Sequence, residues 1–426
     1  MTEGSLSAAA KRDRSADSRA SAQSSLAADG SKVEGERQAT LPAFLTQSYG
    51  ELRKKFEELE WLQRGRISAA LLAGDPSHRW ALESTPEVRE RNRYMNVQAW
   101  ANSRIHLKVP EGECDFINAS PIVLRDSETQ EEARYIATQG PKEGYLAHFW
   151  NMIYHETGEI AVIVMLTQTL EGGREKCAQY FPLNMEAPTF EVSSADSDPF
   201  VDQDAETKVN DYLYATVTLL ESSYDEELRS EIRKFELRVG EGSKIVWHYL
   251  FAGWSDYNKP EGADRDALLK LVTATAEKTG SLTNPRVVHC SAGVGRTGTF
   301  IALDHLLREL RSGKLLKVTD DNVDTVFDTV NQLREQRMMM VYNDLQYQFI
   351  YDVLREQAGL LLGIDTTNMS GRSSGRRAGK MPKLGSDTPF QATPKAELEP
   401  VTDTRTSTPT RSWSGTPEVS DNEPES

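Results

Sequence analysis

Apolar residues Leu52, Phe56, Leu59 and Leu62 recur at spacings of four and three, which predicts an amphipathic helix soon after order begins near Leu41. Such a stripe can dock a partner, but packing on its own domain is the reading adopted here. From Ala133 to Val288 the period changes to that of strands. Residues 135–138 and 160–166 read as strands, the second buried on both faces because no polar residue interrupts it. Residues 212–220 and 232–239 read as longer strands; in the second, Phe235, Leu237 and Val239 alternate with Glu236 and Arg238. Residues 244–251 make another, and the Ser- and Asp-rich stretch 185–210 reads as a surface loop.

After Cys290 the pattern turns helical. Phe300, Leu303, Leu306, Leu307 and Leu310 share one face, with Gly313 as the stop, and Val323, Val326, Phe327, Val330 and Leu333 share another. There is no internal repeat. A sheet followed by helices predicts an α/β fold: a single domain with a twisted mixed β-sheet flanked by helices.

Composition narrows the folded part. Residues 1–40 hold eight Ser, nine Ala and no aromatic, and Ser, Thr, Pro and Gly fill 31 of the 62 positions 365–426. Neither end buries enough apolar surface to offset its ordering entropy, so both are expected to be disordered extensions around a domain at 41–364. That middle carries nearly all of the net charge of −16. It repels nucleic acid and anionic membranes, and an anionic substrate needs a local positive pocket.

Three cysteines, Cys114, Cys177 and Cys290, form neither an even disulfide framework nor a zinc pattern, which points to a reducing compartment. The longest apolar run, 160–166, is too short to span a bilayer, and the N-terminus lacks the apolar segment of a signal peptide. An intracellular, soluble chain is expected.

The chemically informative segment runs from Arg286 to Phe300: a short β-branched strand, a turn His289-Cys290-Ser291-Ala292-Gly293-Val294-Gly295, then Arg296-Thr297-Gly298 opening a helix. Free backbone N–H groups and the helix dipole make such a turn a cradle for a dianion. The same donors depress the pKa of Cys290 and favour its thiolate. Arg296 can hold two phosphoryl oxygens with its planar fork.

This segment resembles the H-C-x5-R-[ST] signature of the protein tyrosine phosphatases. The resemblance covers most of 41–364 and is to the phosphotyrosine-specific, non-receptor branch, of fungal type. Further matching stretches are Asn92-Arg93-Tyr94, residues 115–120, residues 135–141 and Lys176-Cys177-Ala178-Gln179-Tyr180-Phe181. The resemblance implies hydrolysis of phosphotyrosine in signalling proteins through a phosphocysteine, without metal or organic cofactor. It implies Cys290 as nucleophile, Arg296 as phosphate clamp and Ser291, Ala292, Gly293, Val294 and Gly295 as the phosphate loop. Tyr94 would line the slot for the substrate ring and Asn96 would bond the substrate backbone. Glu171 would pin Arg296. Trp254-Ser255-Asp256-Tyr257, with Asp256 lying 34 residues before Cys290, resembles the mobile acid loop, so Asp256 is expected as general acid and then base. Lys176 is expected to pair with Asp256 in one loop state, Thr297 to assist the departing sulfur, and Gln346 to guide water. His289 is expected to orient the loop, not to take the thiol proton, because neighbours on a strand face opposite ways.

The chain departs from the family pattern at several positions. Ser255 replaces the usual Pro of the acid loop, Asn258-Lys259-Pro260 follows Tyr257 in place of Gly-x-Pro, and Tyr342 occupies the place of a first Gln four before Gln346. Ala99 and Ala101 stand where Pro and Asp are usual. A wider open ensemble of the loop and less well directed hydrolysis are therefore expected. Two other readings stay open: a phosphotyrosine-binding module without turnover, and a phosphoinositide or dual-specificity phosphatase, although Val294 lies where lipid-directed relatives often place Lys. The tail carries Thr-Pro pairs at Thr388, Thr393, Thr408 and Thr416, and a basic cluster of Arg372, Arg376, Arg377, Lys380 and Lys383. The cluster loosely resembles a docking peptide for mitogen-activated protein kinases or a nuclear-import patch, with solvated disorder as the plainer reading. A monomer in the cytoplasm, with access to the nucleus, is expected.

Overall fold

The computed structural model describes residues 40–194 and 212–366. Expectations for 1–39, 195–210 and 367–426, including the Thr-Pro pairs and the basic cluster, fall outside those residues.

Helix α1 (Tyr49–Ala73) starts at a capping box, in which the Ser48 side chain accepts from the Glu51 amide and Glu51 reaches back to Ser48, and it stops at Gly74 with φ 58°. Leu52 and Leu59 are buried, Phe56 packs against the same core, and the buried face then passes to Gln63, Arg66 and Ala70. A short α2 (Pro86–Arg91) precedes an antiparallel hairpin, β1 (Ala119–Arg125) and β2 (Glu132–Thr138). Then come α3 (Leu146–Glu156), β3 (Ile160–Met165), a two-residue hairpin β4 (Leu170–Glu171) and β5 (Arg174–Glu175), and β6 (Thr189–Val192). Three long antiparallel strands follow: β7 (Ala215–Asp225), β8 (Ser230–Val239) and β9 (Gly242–Phe251). The last part is α4 (Gly262–Thr279), β10 (Arg286–His289), α5 (Gly295–Arg311), α6 (Thr325–Gln336) and α7 (Asp344–Leu362).

Eight strands form one sheet in the order β1-β2-β10-β3-β9-β8-β7-β6, with β2, β10, β3 and β9 parallel and the flanking pairs antiparallel. Alternation along the central strands feeds two cores. Val162, Val164 and Val288 point to the side of α1, α4, α5, α6 and α7; Ala161, Ile163 and Val287 point to the side of α3. Because β10 is flanked on both sides by parallel strands, its carboxyl end opens into the crevice where open α/β sheets bind ligands. Cys290 follows that end directly.

Three expectations are corrected, and one strand is new. The stretch 185–210 is not wholly a surface loop: Thr189–Val192 is the edge strand β6, paired to β7, and its Val192 is buried. The strand placed at 212–220 begins at Ala215 and continues to Asp225, because its polar second half pairs with Ser230–Lys234 beyond a bulge at Leu219/Glu221. Val323 lies before α6 and is exposed, since Asp324 caps that helix by accepting from the Phe327 amide at 3.1 Å. Strand β1 was not anticipated at all.

Candidate active site

The turn between β10 and α5 is set by close packing. Gly293 has φ 70°, and a Cβ there would collide with the carbonyl of Thr138 on β2, so the loop passes only as glycine. Cys290 is 4 % exposed at its mouth. Burial alone would raise its pKa, but Arg296, the Thr297 hydroxyl and the amides of Thr297 and Gly293 outweigh it, and the thiol is held below its ordinary range. The Thr297 hydroxyl is itself buried and has no nitrogen or oxygen partner.

Arg296 is fixed from three sides. One nitrogen donates to Glu171 Oε1 at 2.6 Å and to the Trp254 carbonyl at 3.0 Å; the other donates to Glu171 Oε2 at 3.2 Å and Asp256 Oδ1 at 3.2 Å. Glu171 sits on β4 and also accepts from the Thr167 hydroxyl at 2.8 Å, which leaves it little rotational freedom. Lys176 Nζ donates to Asp256 Oδ2 at 2.6 Å. Burial works against the Lys176 ammonium, yet Asp256 more than offsets it and raises its pKa.

A cavity of about 100 Å³ opens above the turn, with Cys290 at its floor and Tyr94, Asp256, Tyr257, Tyr342 and Gln346 around it. Asn96, Ser291, Ala292, Val294, Gly295 and Arg296 also face it. The Tyr94 hydroxyl donates to Ser291 Oγ at 2.8 Å, since that hydroxyl in turn donates to the Lys176 carbonyl at 2.9 Å. Trp254 is buried, and its indole N–H donates to the Asn258 carbonyl at 2.7 Å, closing the acid-bearing loop on itself. Gln346 is buried, and its Oε1 accepts from the Tyr342 amide at 3.1 Å.

His289 faces away from the cavity, among Phe149 and Tyr180. Its Nδ1 lies 3.2 Å from the Cys290 carbonyl and must donate there, so Nε2 accepts from the Tyr180 hydroxyl at 2.7 Å. Burial lowers its pKa to about 4, which keeps the ring neutral at pH 7.

The order of these parts along the chain is that of a described family. The family model "Protein-tyrosine phosphatase" matches residues 88–356, well over half of the chain. The chain belongs to the protein-tyrosine phosphatase family, a family of phosphoric monoester hydrolases. It is 35% identical over 339 residues to tyrosine-protein phosphatase 1 of Saccharomyces cerevisiae, with 74% of this chain and 96% of that one aligned. It is 34% identical over 306 residues to tyrosine-protein phosphatase 2 of Schizosaccharomyces pombe, but spans only 38% of that longer protein. Among solved structures it resembles PTPN18 in complex with HER2-pY1248 phosphopeptides, with a TM-score of 0.56, 25% identity, and 72% of this chain and 99% of that chain covered.

One residue of the phosphatase site gave no signal in the sequence. Arg337, fully buried, donates from Nε to the Gly293 carbonyl at 2.8 Å and from Nη2 to the Ala292 carbonyl at 3.1 Å and Asn118 Oδ1 at 2.8 Å. Among the described residues no carboxylate meets it; burial lowers its pKa to about 10, so it remains a cation, and its electrostatic partner is Cys290. It lies 41 positions past Arg296, after the end of α6, where no periodicity marks it. Among the described residues no helix is long and apolar enough to cross a membrane.

Proposed function

We propose that the chain hydrolyses phosphotyrosine in proteins through a phosphocysteine intermediate, in intracellular signalling. The observation that carries this reading is a low-pKa Cys290 on the floor of a slot, with Arg296 beside it and Asp256 held across the opening. Cys290 Sγ attacks phosphorus while Arg296 and the loop amides neutralise the equatorial oxygens. The bond from phosphorus to the tyrosyl oxygen breaks, and Asp256 gives that oxygen its proton. In the second step Asp256 takes a proton from water, oriented by Gln346, as the water attacks phosphorus. The P–S bond then breaks, and the Thr297 hydroxyl meets the returning thiolate. Tyr94 measures the depth of the slot, and Asn96, exposed on its rim, is placed to bond a peptide backbone.

The test is turnover of phosphotyrosyl and phosphothreonyl peptides. Hydrolysis of the first alone, lost in Cys290→Ser and retained as a trapped complex in Asp256→Ala, supports the reading. Binding without turnover in the intact protein would overturn it.

A further inference from the structure

Resting on the reading just given, we propose that Asn343 and Tyr342 form a latch that holds the acid-bearing loop over the phosphate loop, making Asn343 a positioning residue for proton transfer by Asp256. Two contacts join segments 86 positions apart: Asn343 Nδ2 donates to the Tyr257 carbonyl at 2.9 Å, and the Tyr257 and Tyr342 rings lie 5.9 Å apart, tilted by 53°.

The loop needs such support. Tyr257 has φ 60°, a left-handed conformation that a non-glycine residue keeps only when its surroundings enforce it. Ser255 gives none of the stiffness a proline would. At its base the loop is closed by Trp254, whose carbonyl also accepts from Arg296 at 3.0 Å; beyond Trp254 the only hydrogen bond to its backbone from another segment, among the described residues, is the one from Asn343.

The receiving side is rigid and belongs to the phosphate site. The Val341 amide donates to the Val294 carbonyl at 3.1 Å, and Arg334 donates to the carbonyls of Met340 and Val341, each at 2.9 Å. Gly298 packs so closely that a Cβ there would come within 2.5 Å of the Val341 nitrogen. Asn343 uses both ends of its amide: Oδ1 caps α7 by accepting from Gln346 N at 2.9 Å, which turns Nδ2 toward the loop.

The latch acts where the other contacts of Asp256 weaken. Lys176 and Arg296 grip the ionised carboxylate, whereas the form that donates a proton to the leaving group is neutral and attracts them less. The bond from Asn343 is to backbone and is indifferent to that charge. It therefore keeps the loop closed in the protonation state that proton donation requires.

The experiment compares phenyl phosphate, whose leaving group needs a proton, with dinitrophenyl phosphate, whose leaving group does not. Asn343→Ser keeps a helix-capping oxygen but cannot reach Tyr257; kcat/KM on phenyl phosphate, which reports the steps up to the phosphocysteine and not its hydrolysis, should fall roughly tenfold, part of the ~10²–10⁴ a positioned acid supplies, with less than a twofold change on dinitrophenyl phosphate. Asn343→Asp also keeps the cap and lacks the donor, and it should show the same selective loss, which decides the matter if the Ser variant folds poorly. Equal losses on both substrates, or no loss on either, overturn the latch. Wild-type protein that turns over neither substrate overturns the phosphatase reading, and the latch with it.

Discussion

Lys176 and Asp256 meet at 2.6 Å across the mouth of the slot, with the guanidinium of Arg296 on the other side of the same carboxylate. Pairs that keep partial contact with water are worth about 1 kcal/mol or less. Lys176→Met should therefore lower kcat on a phosphotyrosyl peptide about three- to fivefold and leave KM near its starting value. A raised KM with unchanged kcat would show that Lys176 serves binding instead of the acid loop.

Arg337 is a buried cation whose electrostatic partner is the Cys290 sulfur. Removing it withdraws support for the thiolate, so Arg337→Met should move the thiol pKa upward. The acidic limb of kcat/KM, and the pH dependence of inactivation by iodoacetamide, should shift to higher pH together. Loss of the four hydrogen bonds that Arg337 makes should also cost stability, by at least the ~1–3 kcal/mol of one buried acceptor left unpaired. An unmoved inactivation profile would contradict the electrostatic role.

His289 gives a stability prediction with a definite sign. Its folded-state pKa of about 4 lies below the ordinary 6.5, so the unfolded chain binds the proton first. Its contribution is intact above pH 6.5 and is lost as pH falls toward 4, to a total of about 3 kcal/mol. Denaturant unfolding at a series of pH values should show the decline, and His289→Gln should flatten it. A slope that the substitution leaves unchanged would mean other groups are responsible.

Ser255 is exposed, and its amide donates no backbone hydrogen bond among the described residues, so proline can enter without breaking one. Ser255→Pro should narrow the open ensemble of the acid loop, slow its exchange in relaxation dispersion and raise kcat by about two- to threefold, an effect of the size proline gives by restricting the chain. Unchanged turnover together with unchanged exchange would refute this.

The turn after β10 was legible because the chemistry proposed for it needs particular residue types at fixed spacing: Cys290 as the proposed nucleophile, Gly293 for the turn and Arg296 as the proposed clamp. Long strands and helices were legible where burial is one-sided, as in Phe235–Val239 and Phe300–Leu310. Arg337 and Asn343 were not, because each acts through contacts to backbone carbonyls that only the fold brings about, and a single polar residue after or before a helix looks like any other. Strand β6 was hidden for a related reason: an edge strand of four residues buries one side chain well, and Val192 alone makes no pattern.

Strand β10 is hydrogen-bonded on both sides, to β2 and β3, in the middle of the sheet. Its amides should exchange with solvent only when the whole molecule opens, which would tie the survival of the Cys290 site to global unfolding and not to fraying. Heat or denaturant should therefore abolish activity in step with the loss of folded protein, whereas the acid loop, carried outside the ladder, is free to open many times in the life of a single native molecule.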